Sequence, residues 1–291
     1  MREYLPTCNL EGIDGLVVMG GDGSFNQCVN GLFERSQKSA NVDYNNPEAK
    51  LADTMLPIGH IPTGTGNLIS GYCYGGCKDI ETSILHIIRG KERKFGVTAV
   101  YDDSKWLGNC CILLGLGTLS DMVRYSESYR WIKTYRYLVV PAIYFSIKTV
   151  PQFKAKLTVK KRDGSVVFTE EELCDLLIAN HETFDPNEYF GSKTWYDDEN
   201  KIMKYHLSSR YNYWKNFMSK LLKGQNYVKP DFVEEIRAVS MKIEILESNM
   251  SKTSDGQIKL SLLIDGEYLD LITSALDFRL KEPLIRVFSS L

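Results

Sequence analysis

The chain has 291 residues, 43% of them apolar and 25% charged, the profile of a globular protein and not of a disordered or fibrous one. A formal net charge of −2 lacks the basic footprint of a general nucleic-acid binder, so no nucleic-acid partner is expected. The longest apolar stretch, Tyr137 to Ile147, is interrupted by Pro141 and too short to span a bilayer. Seven cysteines without framework spacing read as reduced thiols of a cytosolic protein.

Gly15-Leu16-Val17-Val18-Met19 is the short apolar run of a buried parallel strand. Gly20-Gly21-Asp22-Gly23-Ser24 follows and opens into a helical pattern, Phe25, Val29, Leu32 and Phe33. Strand, glycine loop and helix N-terminus in that order make a site for an anion, because glycines let backbone approach a ligand and first-turn N–H groups favour negative charge. Asp22 is the carboxylate in that loop. It either caps the helix, or faces a metal or an acceptor hydroxyl whose proton it takes.

Residues 36–56 read as a polar connection, and Ile58 to Ile61 as a second short strand. Pro62-Thr63-Gly64-Thr65-Gly66-Asn67 is a second glycine loop, leading into Leu68, Ile69 and Tyr72. Two such loops after two parallel strands should converge on one ligand at the carboxyl ends of the strands. Neither is a Walker A or a dinucleotide fingerprint. Asp79 to Arg89 predicts an amphipathic helix with an Asp cap, Ile80, Ile84, Ile87 and Ile88 on one face, and Gly90 as its stop; His86 reads as a packing histidine. Basic, turn-like Gly90 to Lys94 marks the boundary between domains at 1–92 and 93–291. Only two parallel strands precede residue 70, too small a sheet to stand alone, so a further strand upstream is expected.

Beyond the boundary the period becomes that of strands. Phe153 to Lys160 alternates and turns at Asp163-Gly164 into Val166 and Phe168; Val239 to Ile245 and Ile258 to Ile264 alternate likewise. The expected fold is an open α/β domain, truncated at its start, followed by an antiparallel β-sandwich, with a ligand cleft between them. Three segments there could carry chemistry. Gly115 to Asp121 leads through Arg124 to Ser126-Glu127-Ser128-Tyr129-Arg130 and on to Arg136, either a phosphate clamp or a solvated charged face. Asp265-Gly266-Glu267 reads as a hairpin turn. Tyr211 to Lys223 either covers the sandwich, the reading preferred here, or lies on an anionic membrane with Lys215, Lys220 and Lys223 outward.

Gly20-Gly21-Asp22-Gly23 followed by Pro62-Thr63-Gly64-Thr65-Gly66-Asn67 resembles the paired nucleotide loops of the diacylglycerol, sphingosine and ceramide kinase superfamily. Lys38 to Asp43, Asn46-Pro47 and Glu81 to Ile88 resemble the ceramide kinases in particular. The resemblance implies a lipid kinase using ATP and Mg2+, with the metal ligands unassigned, acting on ceramide or a related sphingolipid at the membrane periphery. Sphingosine, diacylglycerol or a catalytically silent lipid-binding role are the alternatives. It implies Asp22 as the base, with Gly20, Gly21, Gly23, Ser24, Gly64, Thr65, Gly66, Asn67, Arg130, Arg136, Asp265, Gly266 and Glu267 at the nucleotide. A final strand pair, Ala275 to Leu280 and Leu284 to Phe288, is expected to return to that site. Asp121 is implied at the lipid head group. Val123 stands where sphingosine kinases place an acidic residue. Thr65-Gly66-Asn67 is closer to the diacylglycerol kinase form, and Trp195 to Glu199 replaces a turn usual in ceramide kinases.

Overall fold

The computed structural model describes the whole chain except residues 104, 181–198, 224–227, 251 and 291, and describes only the backbone at 130, 133, 134, 137, 138 and 220–223. Of the segment Trp195 to Glu199, which replaces a turn usual in ceramide kinases, residues 195–198 therefore lie outside the described residues. The described chain forms two compact units. One takes in residues 1–112 with 278–290 and Asn180; the other takes in 113–179 and 199–277.

The first unit is built on β1 (Leu16–Gly20), α1 (Asp22–Ser39), β2 (Ile58–Pro62), α2 (Leu68–Cys73) and α3 (Ile80–Arg89). β1 and β2 pair in parallel from Leu16 with Ile58 to Gly20 with Pro62, so both glycine loops leave the same end of the sheet. Phe25, Val29, Leu32 and Phe33 are fully buried on α1, each contributing roughly 1.5–3 kcal/mol of apolar burial. The polar side of the same helix is stitched to a hairpin, β3 (Glu92–Asp102) and β4 (Lys105–Cys110). Asn26 donates to the Asn109 carbonyl at 2.7 Å, Asn30 donates to Asn26 Oδ1 at 2.7 Å, and Asn109 N–H donates to Asn30 Oδ1 at 2.7 Å. Because β4 is bonded to α1 in this way, the compact unit runs on to Ile112, past the expected boundary near residue 92.

The Asp79 cap of α3 accepts from Thr82 N–H at 2.8 Å, and Gly90 closes the helix at φ 69°. Its apolar stripe forms as expected but is only partly covered. Ile87 packs over Gly59 of β2, but Ile80, Ile84 and Ile88 are exposed, as are Val17 and Met19 on β1.

The second unit is antiparallel: β5 (Leu113–Gly117), then α4 (Thr118–Ser126), a 3₁₀ stretch (Glu127–Tyr135) and α5 (Arg136–Ile147), then β6 (Phe153–Lys160), β7 (Val166–Ala179), β8 (Asn200–His206), α6 (Arg210–Lys223), β9 (Val233–Ala238), β10 (Ser240–Ser248), β11 (Lys259–Ile264) and β12 (Glu267–Ile272). β7 is the branch point of the sheet. Its first half pairs with β6, which pairs on with β10; its second half lies between β5 and β8. α5 and α6 close over Met122, Cys174, Met203 and Tyr205. Tyr213 is buried on α6 and Trp214 and Phe217 pack on that core, which is the covering role expected of this helix; the Lys220 and Lys223 side chains lie outside the described residues.

β13 (Ala275–Phe288) is one strand where a pair was expected, since Lys281-Glu282-Pro283 carries no glycine to reverse it. From Phe278 onward it belongs to the first unit, where Val287 pairs in parallel with Ile58.

Candidate active site

The two glycine loops touch backbone to backbone. A Cβ on Gly64 would stand 2.5 Å from the Gly21 Cα, so glycine is required there for the loops to meet. Thr63 N–H donates to the Gly20 carbonyl at 3.0 Å, and the Asn67 side chain closes the second loop on itself, accepting from Gly64 N–H and donating to the Gly64 carbonyl, both at 2.9 Å. Asn67 holds φ 51°, a left-handed conformation that asparagine tolerates better than most residues.

Asp22 does not cap its own helix: α1 begins after Gly21 with no side-chain cap. Its Oδ1 instead accepts from the Ile69 N–H at 2.9 Å, in the first turn of α2, so the carboxylate bridges the two loops. The other oxygen, Oδ2, lies 3.0 Å from where a Gly66 Cβ would be; glycine at 66 keeps the space beside it open. Gly21 supplies no side-chain cap to α1, and a helix start left uncapped by its own N-cap residue suits a phosphate. Ser24 Oγ sits against Gly20, and Thr65 is exposed on the loop crest.

Two residues that sequence reasoning missed complete this site. His60, fully buried on β2, has Nε2 3.0 Å from the Gly20 carbonyl and Nδ1 2.9 Å from Ser70 Oγ. A carbonyl only accepts, so Nε2 carries the proton and Nδ1 accepts from the Ser70 hydroxyl. Burial lowers the pKa of the ring, against the raising effects of the Gly20 carbonyl and Asp22, and this tautomer ties the first loop to α2. Lys78 donates to the Gly66 carbonyl at 3.1 Å, its pKa lowered by burial and raised in part by the field of Asp22. An alternating apolar strand gives no cue to a histidine's role, and Lys78 lies outside both motifs.

In the second unit Asp121 lines a cavity of about 590 Å3 together with Gly117, Arg124, Lys259 and Asp270. Burial pushes the Asp121 carboxyl up, partly offset by Arg124, Lys148 and a hydrogen bond to Tyr144. Val123, one turn-step away, is not among the lining residues. Arg136 makes an ion pair with Glu127 at 3.6 Å, both side chains largely shielded; the Arg130 side chain lies outside the described residues. Asp265-Gly266 is the turn between β11 and β12, with φ 49° and 88°, and buried Asp265 fastens β5: its Oδ1 accepts from Leu113 N–H at 3.0 Å and its own N–H donates to the Leu113 carbonyl at 2.9 Å. Glu267 is exposed.

Residues 1–100, the stretch that holds both glycine loops, match the family model of the diacylglycerol kinase catalytic domain. The chain is 40% identical to human ceramide kinase over 138 residues, 47% of this chain and 25% of that protein. It is 30% identical to Arabidopsis thaliana sphingosine kinase 2 over 141 residues, 46% of this chain and 26% of that one. The chain thus spans about a quarter of the length of these curated relatives. A crystal structure of a putative diacylglycerol kinase from Bacillus anthracis str. Sterne shares the fold, with a TM-score of 0.64 at 18% identity, covering 99% of this chain and 79% of that one.

Proposed function

We propose that the chain is an ATP-dependent lipid kinase that phosphorylates the primary hydroxyl of ceramide, working in the cytoplasm at the periphery of membranes. The observation that carries this reading is the carboxylate of Asp22 held by the second loop's helix between two touching glycine loops, in a unit matching a lipid-kinase catalytic domain. Phosphoryl transfer demands positioning and charge more than covalent chemistry from the protein. Gly20 to Ser24 and Gly64 to Asn67 hold the nucleotide phosphates through backbone N–H groups. With Oδ1 anchored on Ile69, Asp22 keeps Oδ2 to take the acceptor's proton as the lipid oxygen bonds to the γ-phosphorus and the bond to ADP breaks.

Arg130 and Arg136 supply cations to the transferring group, Arg136 set in place by Glu127. Mg2+ would accompany ATP and neutralise phosphate charge; among the described loop residues Asp22 is the carboxylate that would hold it. Ceramide is favoured over sphingosine because an ammonium needs a charged partner, whereas Asp121 is disfavoured as an anion by its burial and Val123 offers none.

Turnover of ceramide, sphingosine and diacylglycerol in mixed micelles tests the reading. Ceramide should react fastest, and Asp22→Asn, whose amide oxygen still accepts from Ile69, should keep its melting temperature while losing about 10³-fold in turnover. Faster reaction of sphingosine or diacylglycerol overturns the ceramide assignment; an active Asp22→Asn overturns the base.

A further inference from the structure

The two glycine loops carry no cation of their own. Gly20 to Ser24 and Pro62 to Asn67 contain no lysine or arginine, and their one charged residue is Asp22, a carboxylate. Polyphosphate set beside a carboxylate is repelled unless a positive group stands close to both. Arg136 belongs to the second unit and is ion-paired with Glu127, so the first unit has to bring a cation from outside its loops.

Lys78 is brought there by the turn that ends α2. Gly75 and Gly76 take φ 64° and 90°, left-handed values that glycine adopts without strain, and Gly76 N–H donates to the Gly71 carbonyl at 2.7 Å. The turn lays the Lys78 stem over Gly71: a Cβ at 71 would stand 3.3 Å from Lys78 Cε, so glycine leaves the stem its place. From there the ammonium reaches the second loop, where Nζ donates to the Gly66 carbonyl at 3.1 Å.

That bond does not account for the lysine. The Gly66 carbonyl is on an exposed residue, where water serves it as well, and one such bond barely offsets the rotamer entropy of fixing a lysine. An ammonium has three donors, and the other two have no partner among the described residues. Burial lowers the pKa of this amine and the field of Asp22 raises it in part, so the two charges lie within reach of each other. A lysine is a compact point charge, the form of cation that meets a phosphate oxygen without the planar match that arginine requires.

We propose that Lys78 is the cation of the glycine-loop pair and binds the β- or γ-phosphate of a nucleoside triphosphate held there. The identity of the nucleotide rests on the lipid-kinase reading; the polyphosphate site rests on the loops and on Lys78.

Calorimetric titration of the full chain with MgATP, AMP and inorganic tripolyphosphate, without lipid, is the test. Lys78→Met keeps a stem over Gly71 and drops the charge. It should bind ATP and tripolyphosphate about tenfold more weakly and AMP as the wild type does, with a weaker salt dependence of ATP binding. Lys78→Gln, which retains a donor for the Gly66 carbonyl, should show the same loss, and Lys78→Arg should recover part of the affinity. Wild-type ATP affinity in Lys78→Gln, or a loss that falls equally on AMP, would make the lysine a brace for the loop and overturns the proposal. Wild type that binds MgATP no better than Lys78→Met does sinks the proposal and leaves the kinase reading standing. Wild type that binds tripolyphosphate but not MgATP sinks the kinase reading, while the tripolyphosphate loss in Lys78→Met still upholds the site.

Discussion

The loop pair of the first unit and the charged segment of the second reach their geometry by opposite means. In the loops the position is set by what is missing: Gly64 has no Cβ to strike Gly21, and Gly66 none to crowd Asp22. The segment around Arg136 is set by what is present, a guanidinium held by Glu127 and an Asp265 carboxylate spent on the backbone of β5. Backbone contacts of the first kind tolerate almost no substitution. Side-chain pairs of the second kind lose function in parts, because each partner retains some of the arrangement when the other is changed.

Substitutions can break that contrast at several depths. Gly64→Ala should be the most damaging, since its methyl group meets main chain that cannot swing aside; we expect a loss of about 3 kcal/mol in stability and of more than a hundredfold in ATP affinity, read by denaturant melts and calorimetry. Next comes Arg136→Ala, with turnover down roughly a hundredfold and ATP binding less affected. Glu127→Gln should cost about a tenth of that, and the double variant no more than Arg136→Ala alone; additive losses would show that Glu127 acts independently of the arginine.

The smallest effect belongs to His60 and concerns pH. Its ring favours the neutral form in the folded protein, with the one proton on Nε2, whereas the unfolded chain takes up a second proton near the ordinary histidine value of 6.5. Below that pH the unfolded state binds more protons, so this group lowers stability as pH falls, by no more than about 2 kcal/mol at pH 5. His60→Gln, which still has a donor for the Gly20 carbonyl, should melt with a flatter acid limb than the wild type. Parallel acid limbs in the two proteins would mean that His60 is protonated in the fold.

What could be read from the chain divides along the same line. Glycine loops after short apolar strands, the Asp79 cap and the Asp163-Gly164 turn are local patterns, and each appears where the spacing puts it. β7 was legible only at Val166 and Phe168, because its second half, buried between two strands, reads as an apolar run interrupted by Asp175, without the alternation of a strand. Asp22 looked like a helix cap and is one, but for the neighbouring helix, through a bond between residues 47 apart in the chain. The anchoring of Leu113 by Asp265 spans 152 residues. No period in the sequence carries contacts of that range, and the exposed isoleucines of α3 show that an amphipathic pattern names an apolar face without naming what lies against it.

β13 has a consequence for the order in which the protein is made. The Phe288 ring occupies the space left by Gly15 and Gly59, Val287 pairs with Ile58, and Ser289 N–H donates to the Lys91 carbonyl, so β1 and β2 are covered on that side by β13. During synthesis β1 and β2 precede β13 by the whole second unit, so that side of them is covered only after the second unit has been made. A fragment ended at residue 100, where the family match stops, lacks both β13 and β4 and so the Asn109 partner of α1. Removing Leu284 to Phe288 would strip that cover from β1 and β2 and so loosen the two glycine loops, far from β13 in the sequence.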